Sequence, residues 1–236
     1  MRKIDKKSEP VEHRTWRSKF QGDINYGYNL MDRDHRKLVK GKLLEEQGNI
    51  CAYTGRAITQ DSSHIEHLLP QTPWKAKRGT DVKYRNMVAC WPVPGHKPEP
   101  TYGARYKDDW PKPGQESLFV SPLTAGCESR FKFNYRGEVA TLPQDKAAAE
   151  TVKKIGLDEP LLTDLRKIEI VSLLGKDRSL KLDDARLRLR EMEESEAQLK
   201  TGANVQLRPY CFALKQALRR HIRTLEMIGK SSKRKK

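Results

Sequence analysis

Ser63-His64-Ile65-Glu66-His67-Leu68-Leu69-Pro70 is the stretch around which this chain is organised. Side chains alternate across an extended strand, so His64, Glu66 and Leu68 share one face and Ile65 and His67 the other. Pro70 lacks the N–H a ladder needs and stops the stretch from continuing as a central strand. A carboxylate beside an imidazole can hold a divalent ion and supply a general base. By themselves, the same side chains more commonly make a surface pair or a satisfied local hydrogen bond.

Outward from this octamer, residues 50 to about 140 are dense in Pro and Gly, with short apolar runs. Ile50-Cys51-Ala52-Tyr53 before Thr54-Gly55 reads as a short strand and turn, and Ser63–Leu69 as a second strand. Asn86-Met87-Val88-Ala89-Cys90 is a short apolar piece, and the prolines at 92, 94, 98 and 100 make the next stretch a loop. Phe131–Tyr135, Arg136-Gly137 and Glu138–Ala140 read as a hairpin.

The flanks differ from this middle. Residues 1–30 read as an irregular arm carrying Trp16, Phe20, Tyr26 and Tyr28, which either pack on the protein itself or dock on a partner. A helix is expected over 32–48, capped by Asp32 and stopped at Gly48-Asn49, with Leu38, Val39, Leu43 and Leu44 as its stripe. Beyond 144 the pattern turns helical, with helices expected near 145–155, 159–174, 180–199 and 208–228. The tail from Lys230 to Lys236 is expected to be disordered. There is no internal repeat.

Composition narrows the partners. The chain has 236 residues and a formal net charge of +16, from 47 Lys and Arg against 31 Asp and Glu. Residues 141–236 hold 22 of those basic residues and 14 of the acidic ones, half of the excess. Such a balance suits a polyanion, nucleic acid first. No apolar run is long enough to span a membrane, no signal peptide is expected, and the four cysteines are too far apart for a disulfide framework. A reducing cytoplasm is the expected location.

Taken together, Glu66-His67, Asn86 and His96 follow the order of the HNH nucleases, which the chain resembles. Further blocks narrow the likeness: Met1-Arg-Lys-Ile4, Cys51-Ala-Tyr, Ser63-His-Ile-Glu-His67, Tyr84-Arg-Asn86, Gly103-Ala-Arg-Tyr-Lys107 and Cys127-Glu128 with Phe131-Lys-Phe133 and Gly137. They resemble the PtuB-like HNH proteins of Septu-type and retron-associated anti-phage systems. The likeness covers roughly residues 1–140 by motif and the helical remainder only in general character.

The resemblance implies an α+β protein with a ββα-metal core at 50–140, an N-terminal arm and helix at 1–49, a helical region at 141–230 and a basic tail at 231–236. It implies a metal-dependent endonuclease acting on DNA, with RNA as the other candidate, beside an ABC or SMC-like ATPase and away from membranes. A catalytically idle nucleic-acid-binding or scaffold subunit is the alternative. His67 is expected as general base, because imidazole titrates near working pH. Glu66 is expected to bind Mg²⁺ or Mn²⁺, with His64 a further ligand or a support to one, and Asn86 to order the loop around the histidine. That geometry requires the strand to bend at Pro70. His96 is the candidate last ligand, although prolines surround it and a helix near Tyr102–Asp108 offers no His or Asn. Arg105 and Lys107 are expected to meet phosphates. Relatives carry Cys-x-x-Cys pairs for zinc, but here Thr54 and Val93 stand where second cysteines would be. No structural zinc is therefore expected, and Cys51 and Cys90 are expected to be buried apolar thiols.

Overall fold

A computed structural model describes residues 1–74 and 77–233. The first helix, α1 (Val11–Phe20), falls inside the arm expected to be irregular. Pro10 fixes the entry, Glu12 lies in the first turn, and Arg17 and Lys19 in the last complement the helix dipole. Only His13 and Trp16 are buried on it, too thin a stripe to show as periodicity. The arm's aromatics fold back on the protein. Trp16 is buried, and Phe20, Tyr26 and Tyr28 pack against the main core.

Helix α2 (Arg33–Gln47) begins as its cap predicts, with the Asp32 carboxylate accepting the His35 N–H, and ends at Gly48 in the left-handed region. Its last residue docks it. The Gln47 amide donates to the carbonyls of Ile50 and Ala89 and accepts the Ala89 N–H at 2.7 Å.

The strand expected at Ile50–Tyr53 is a tight turn instead. Cys51 N–H reaches Arg56 O, Gly55 N–H returns to Cys51 O, and one bridge joins Ile50 to Ala57. Gly55 (φ +78°) lies directly under Phe212, whose ring would be 2.5 Å from a Cβ there. That leaves room only for glycine.

Strands β1 (His64–His67) and β2 (Met87–Cys90) pair antiparallel, His64 opposite Cys90 and His67 opposite Met87. β1 alternates in burial, whereas every residue of β2 is buried, because α2 covers the sheet. After the proline-rich loop comes a single turn, α3 (Ala104–Lys107). Strands β3 (Lys132–Phe133) and β4 (Val139–Ala140) form the predicted hairpin, with the Asn134 side chain accepting from the backbone of Arg136 and Glu138.

Four helices follow, as the periodicity predicts: α4 (Lys146–Ile155), α5 (Pro160–Leu174), α6 (Leu182–Thr201) and α7 (Cys211–Lys233). Asp145 caps α4 and Gly156 ends it, while Pro160 opens α5. The basic tail, expected to be disordered, is helical as far as Lys233, and residues 234–236 lie outside the described ones. The main core joins Met1 and Ile4 to β2, α4 and Phe212, and a second cluster lies between α5, α6 and α7. The arrangement is helix-rich α+β with two small sheets, compatible with the expected nuclease class. No described helix is long and apolar enough to cross a membrane.

Candidate active site

β1 presents Glu66 beside His64, and their carboxylate and imidazole approach to 3.6 Å. His64 is turned by its Nδ1, which donates to the Pro92 carbonyl. Glu66 Oε1 receives Lys107 Nζ at 2.8 Å and the Tyr53 hydroxyl at 3.3 Å. Burial pushes the Glu66 carboxyl up, but Lys107 and His64 outweigh it and hold it at about 2. Glu66 is therefore an anion at any working pH.

His67 is 7% exposed. Its Nε2 donates to the Asp81 carbonyl at 2.8 Å, and its ring meets the edge of Tyr28 at 4.8 Å between centroids. A proton on Nε2 leaves Nδ1 as the lone-pair nitrogen, and Nδ1 has no hydrogen bond among the described residues. Burial pulls the imidazole below its ordinary range, against a smaller opposing pull from Glu66 and the Asp81 carbonyl. The ring is thus a neutral base near pH 7.

Neighbours on a strand face opposite ways, yet Glu66 and His67 line one cleft of about 220 Å³ together with His64, Gln71, Arg105, Lys107, Asp108 and Asp109. The chain leaves the sheet just after His67, where Leu68 N–H bonds to Asn86 O and Pro70 follows. Asn86 is not among the cleft residues and pins the loop between the strands at two points, Leu69 and Thr80. Its Oδ1 accepts Leu69 N–H at 2.8 Å, and its Nδ2 donates to the carbonyls of Leu69 at 3.0 Å and Thr80 at 3.1 Å. Thr80 precedes the carbonyl that holds His67.

Other expected residues are placed differently. Arg105 is exposed at the cleft and paired with Glu99 at 3.4 Å. Lys107 forms the buried floor rather than a solvated phosphate contact. His96 is not among the cleft residues and stands edge-on to Trp91 at 5.0 Å. The sequence marked neither Asp81 nor the arm residue Tyr28 as part of the site. Asp81 works through its backbone carbonyl, which carries no sequence signal, and its side chain accepts the Tyr28 N–H at 2.7 Å.

The fit of a divalent ion can be judged from the donors. Among the described residues, no three His, Cys, Asp or Glu side chains form a group able to hold one. Glu66 and His64 are donors of suitable type, but the Lys107 ammonium sits on Glu66. As arranged, the residues present do not fit the ion. Cys51 and Cys90 are buried free thiols, yet not independent apolar ones. Burial pushes both thiols up; a hydrogen bond between them raises Cys90 further, while for Cys51 that bond, Thr54 and the Trp91 backbone outweigh burial and hold it below the usual thiol range.

No family model matches the chain. It is 25% identical over 145 residues to a Vibrio cholerae serotype O1 biovar El Tor protein named "Retron Vc95 putative HNH endonuclease". The match covers 59% of this chain and 66% of that protein's own length.

Proposed function

We propose that the chain is an HNH-type endonuclease that hydrolyses phosphodiester bonds of DNA in anti-phage defence. The observation that carries this reading is His67: a buried, neutral imidazole, tied at Nε2 to the Asp81 carbonyl and left with a free lone pair at Nδ1. Nδ1 takes a proton from the attacking water as the new phosphorus–oxygen bond forms. The bond to the leaving oxygen breaks, and that oxygen is protonated from solvent. Asn86 holds the loop that holds the base, and Arg105 at the cleft meets the phosphate. The net charge of +16 supplies general affinity for a polyanion. Retron kinship of the similar protein supports the defence setting, and an ABC or SMC-like ATPase partner belongs to the same proposal. The Mg²⁺ or Mn²⁺ ion that the resemblance implies enters no step, because Lys107 occupies Glu66.

Supercoiled plasmid and the full chain, with and without an ABC or SMC-like ATPase, test the reading. Wild type should nick the plasmid. His67→Ala should not, while binding DNA almost as well, because it loses proton transfer and no basic charge. Undiminished cutting by His67→Ala would remove the assignment. The same ion pair at Glu66 favours a second reading, an idle nucleic-acid-binding subunit. That reading holds if wild type binds DNA and never nicks it under any cation or partner condition.

A further inference from the structure

Phosphodiester hydrolysis needs positive charge near the reacting phosphate, and a divalent ion is the usual source. Here the carboxylate suited to such an ion already holds an ammonium. Lys107 Nζ lies 2.8 Å from Glu66 Oε1 and donates to the His67 carbonyl at 3.2 Å. One charge therefore grips both residues of the Glu-His pair. The Lys107 side chain is 1% exposed, so water does not share its contacts. Tyr53 and His64 face the carboxylate as well, at 3.3 Å and 3.6 Å.

Lys107 is also held from behind. It ends α3, whose flanks at Gly103 and Asp108 both have positive φ, 84° and 47°. Gly103 N–H bonds to the Ile155 carbonyl at the end of α4 at 2.6 Å, and Lys107 N–H returns to the Gly103 carbonyl. The lysine is thus aimed by the junction of two helices. A divalent ion at Glu66 would have to displace this ammonium, or sit beside it against like charge in a poorly hydrated cleft.

We propose that Lys107 is the resident cation of this centre, excluding a divalent ion from Glu66 and positioning His67 through its backbone carbonyl. Exclusion is a property of the ion pair alone, and the effect on His67 rests on the nuclease reading. Lys107 touches no substrate and is a positioning residue.

Mn²⁺ titration of the full chain, with free Mn²⁺ read by electron paramagnetic resonance, tests exclusion without substrate. Wild type should show no site that depends on Glu66. Lys107→Ala should bind one Mn²⁺ at least about tenfold more tightly than wild type, the least that loss of a like charge at contact should give. The double variant Lys107→Ala with Glu66→Gln should lose that site. Lys107→Met, which keeps the stem packed, replaces Lys107→Ala if the alanine variant does not fold. In plasmid cleavage, wild type should be indifferent to a chelator. Lys107→Met should lose kcat rather than KM and be rescued by Mn²⁺, and Lys107→Arg should keep part of the rate.

A Mn²⁺ site in wild type that Glu66→Gln abolishes would overturn the proposal. So would folded Lys107→Ala or Lys107→Met that binds no Mn²⁺, or wild-type cleavage that a chelator stops and Mn²⁺ restores. Absence of cleavage by wild type would count against the nuclease reading alone, since the titration decides exclusion independently.

Discussion

Replacing Asn86 tests the link between the loop and the base. Asn86 is 7% exposed and makes three hydrogen bonds, to Leu69 N–H, Leu69 O and Thr80 O. Asn86→Ala leaves the Leu69 N–H and carbonyl without partners and the Thr80 carbonyl with only the Lys83 N–H at 3.4 Å. A buried polar group left unpaired costs about 1–3 kcal/mol. Leu69 is half-buried and water can reach it in part, so the sum falls to about 2–4 kcal/mol. Urea unfolding followed by tryptophan fluorescence measures this directly. The loop should also loosen, carrying the Asp81 carbonyl away from His67 Nε2, and kcat should fall roughly a hundredfold.

Asn86→Asp sharpens the test. It keeps an acceptor for Leu69 N–H but turns an oxygen toward two carbonyls. Burial and those dipoles raise the folded pKa of the introduced carboxyl above its unfolded value of about 4. Stability should therefore be greatest below the unfolded value and should fall as pH rises through the folded one. A loss below about 1 kcal/mol for Asn86→Ala, or a flat pH response for Asn86→Asp, would refute the clamp.

Other substitutions probe separate contacts. Arg166 is 1% exposed, donates to the Gly137, Leu157 and Thr163 oxygens, and is pushed down to about 10 by burial. Arg166→Met should cost about 3 kcal/mol or more in urea unfolding, and Arg166→Lys should not restore it. A loss within experimental error would show those bonds to be idle. Glu66 sits at about 2 against an ordinary 4.5, so its stabilising effect is full above 4.5 and is lost as pH falls toward 2. Glu66→Gln should flatten that acid limb, worth at most about 3 kcal/mol, in melting curves taken across it. The pH–rate profile should keep its acid limb below 6.5, since His67 is depressed and must be neutral to act. A limb at or above 6.5 would exclude His67 as the base. Gly55→Ala drives a methyl into Phe212 at positive φ, and its melting point should fall by an amount equivalent to about 2–3 kcal/mol.

The legible parts of this chain carry their own local signals. Asp32 and Gly48 bracket α2, Asp145 and Gly156 bracket α4, and Pro160 opens α5. The hairpin at 132–140 announces itself through Arg136-Gly137 between two β-prone runs, and β1 through its alternation before Pro70. Each signal acts within about one turn, where backbone hydrogen bonds and side-chain caps are decided. α1 escaped because two buried side chains on a polar helix make no period, and Ile50–Tyr53 deceived because a β-prone run was closed by Gly55 under Phe212.

By itself, the sequence determined the helical second half, the pairing of a carboxylate with an imidazole at Glu66-His67, and the excess of positive charge. Tertiary structure alone decided how those side chains are used. Lys107 reads as a surface lysine in its own neighbourhood, yet it lies under His67, 40 residues away in the chain, because α4 holds α3 against β1. Asp81 fixes His67 with a carbonyl that every residue possesses, so only its position marks it. A local pattern sets the conformation of a few residues, whereas a centre of this kind is built by burial that brings distant segments together and removes the water between them.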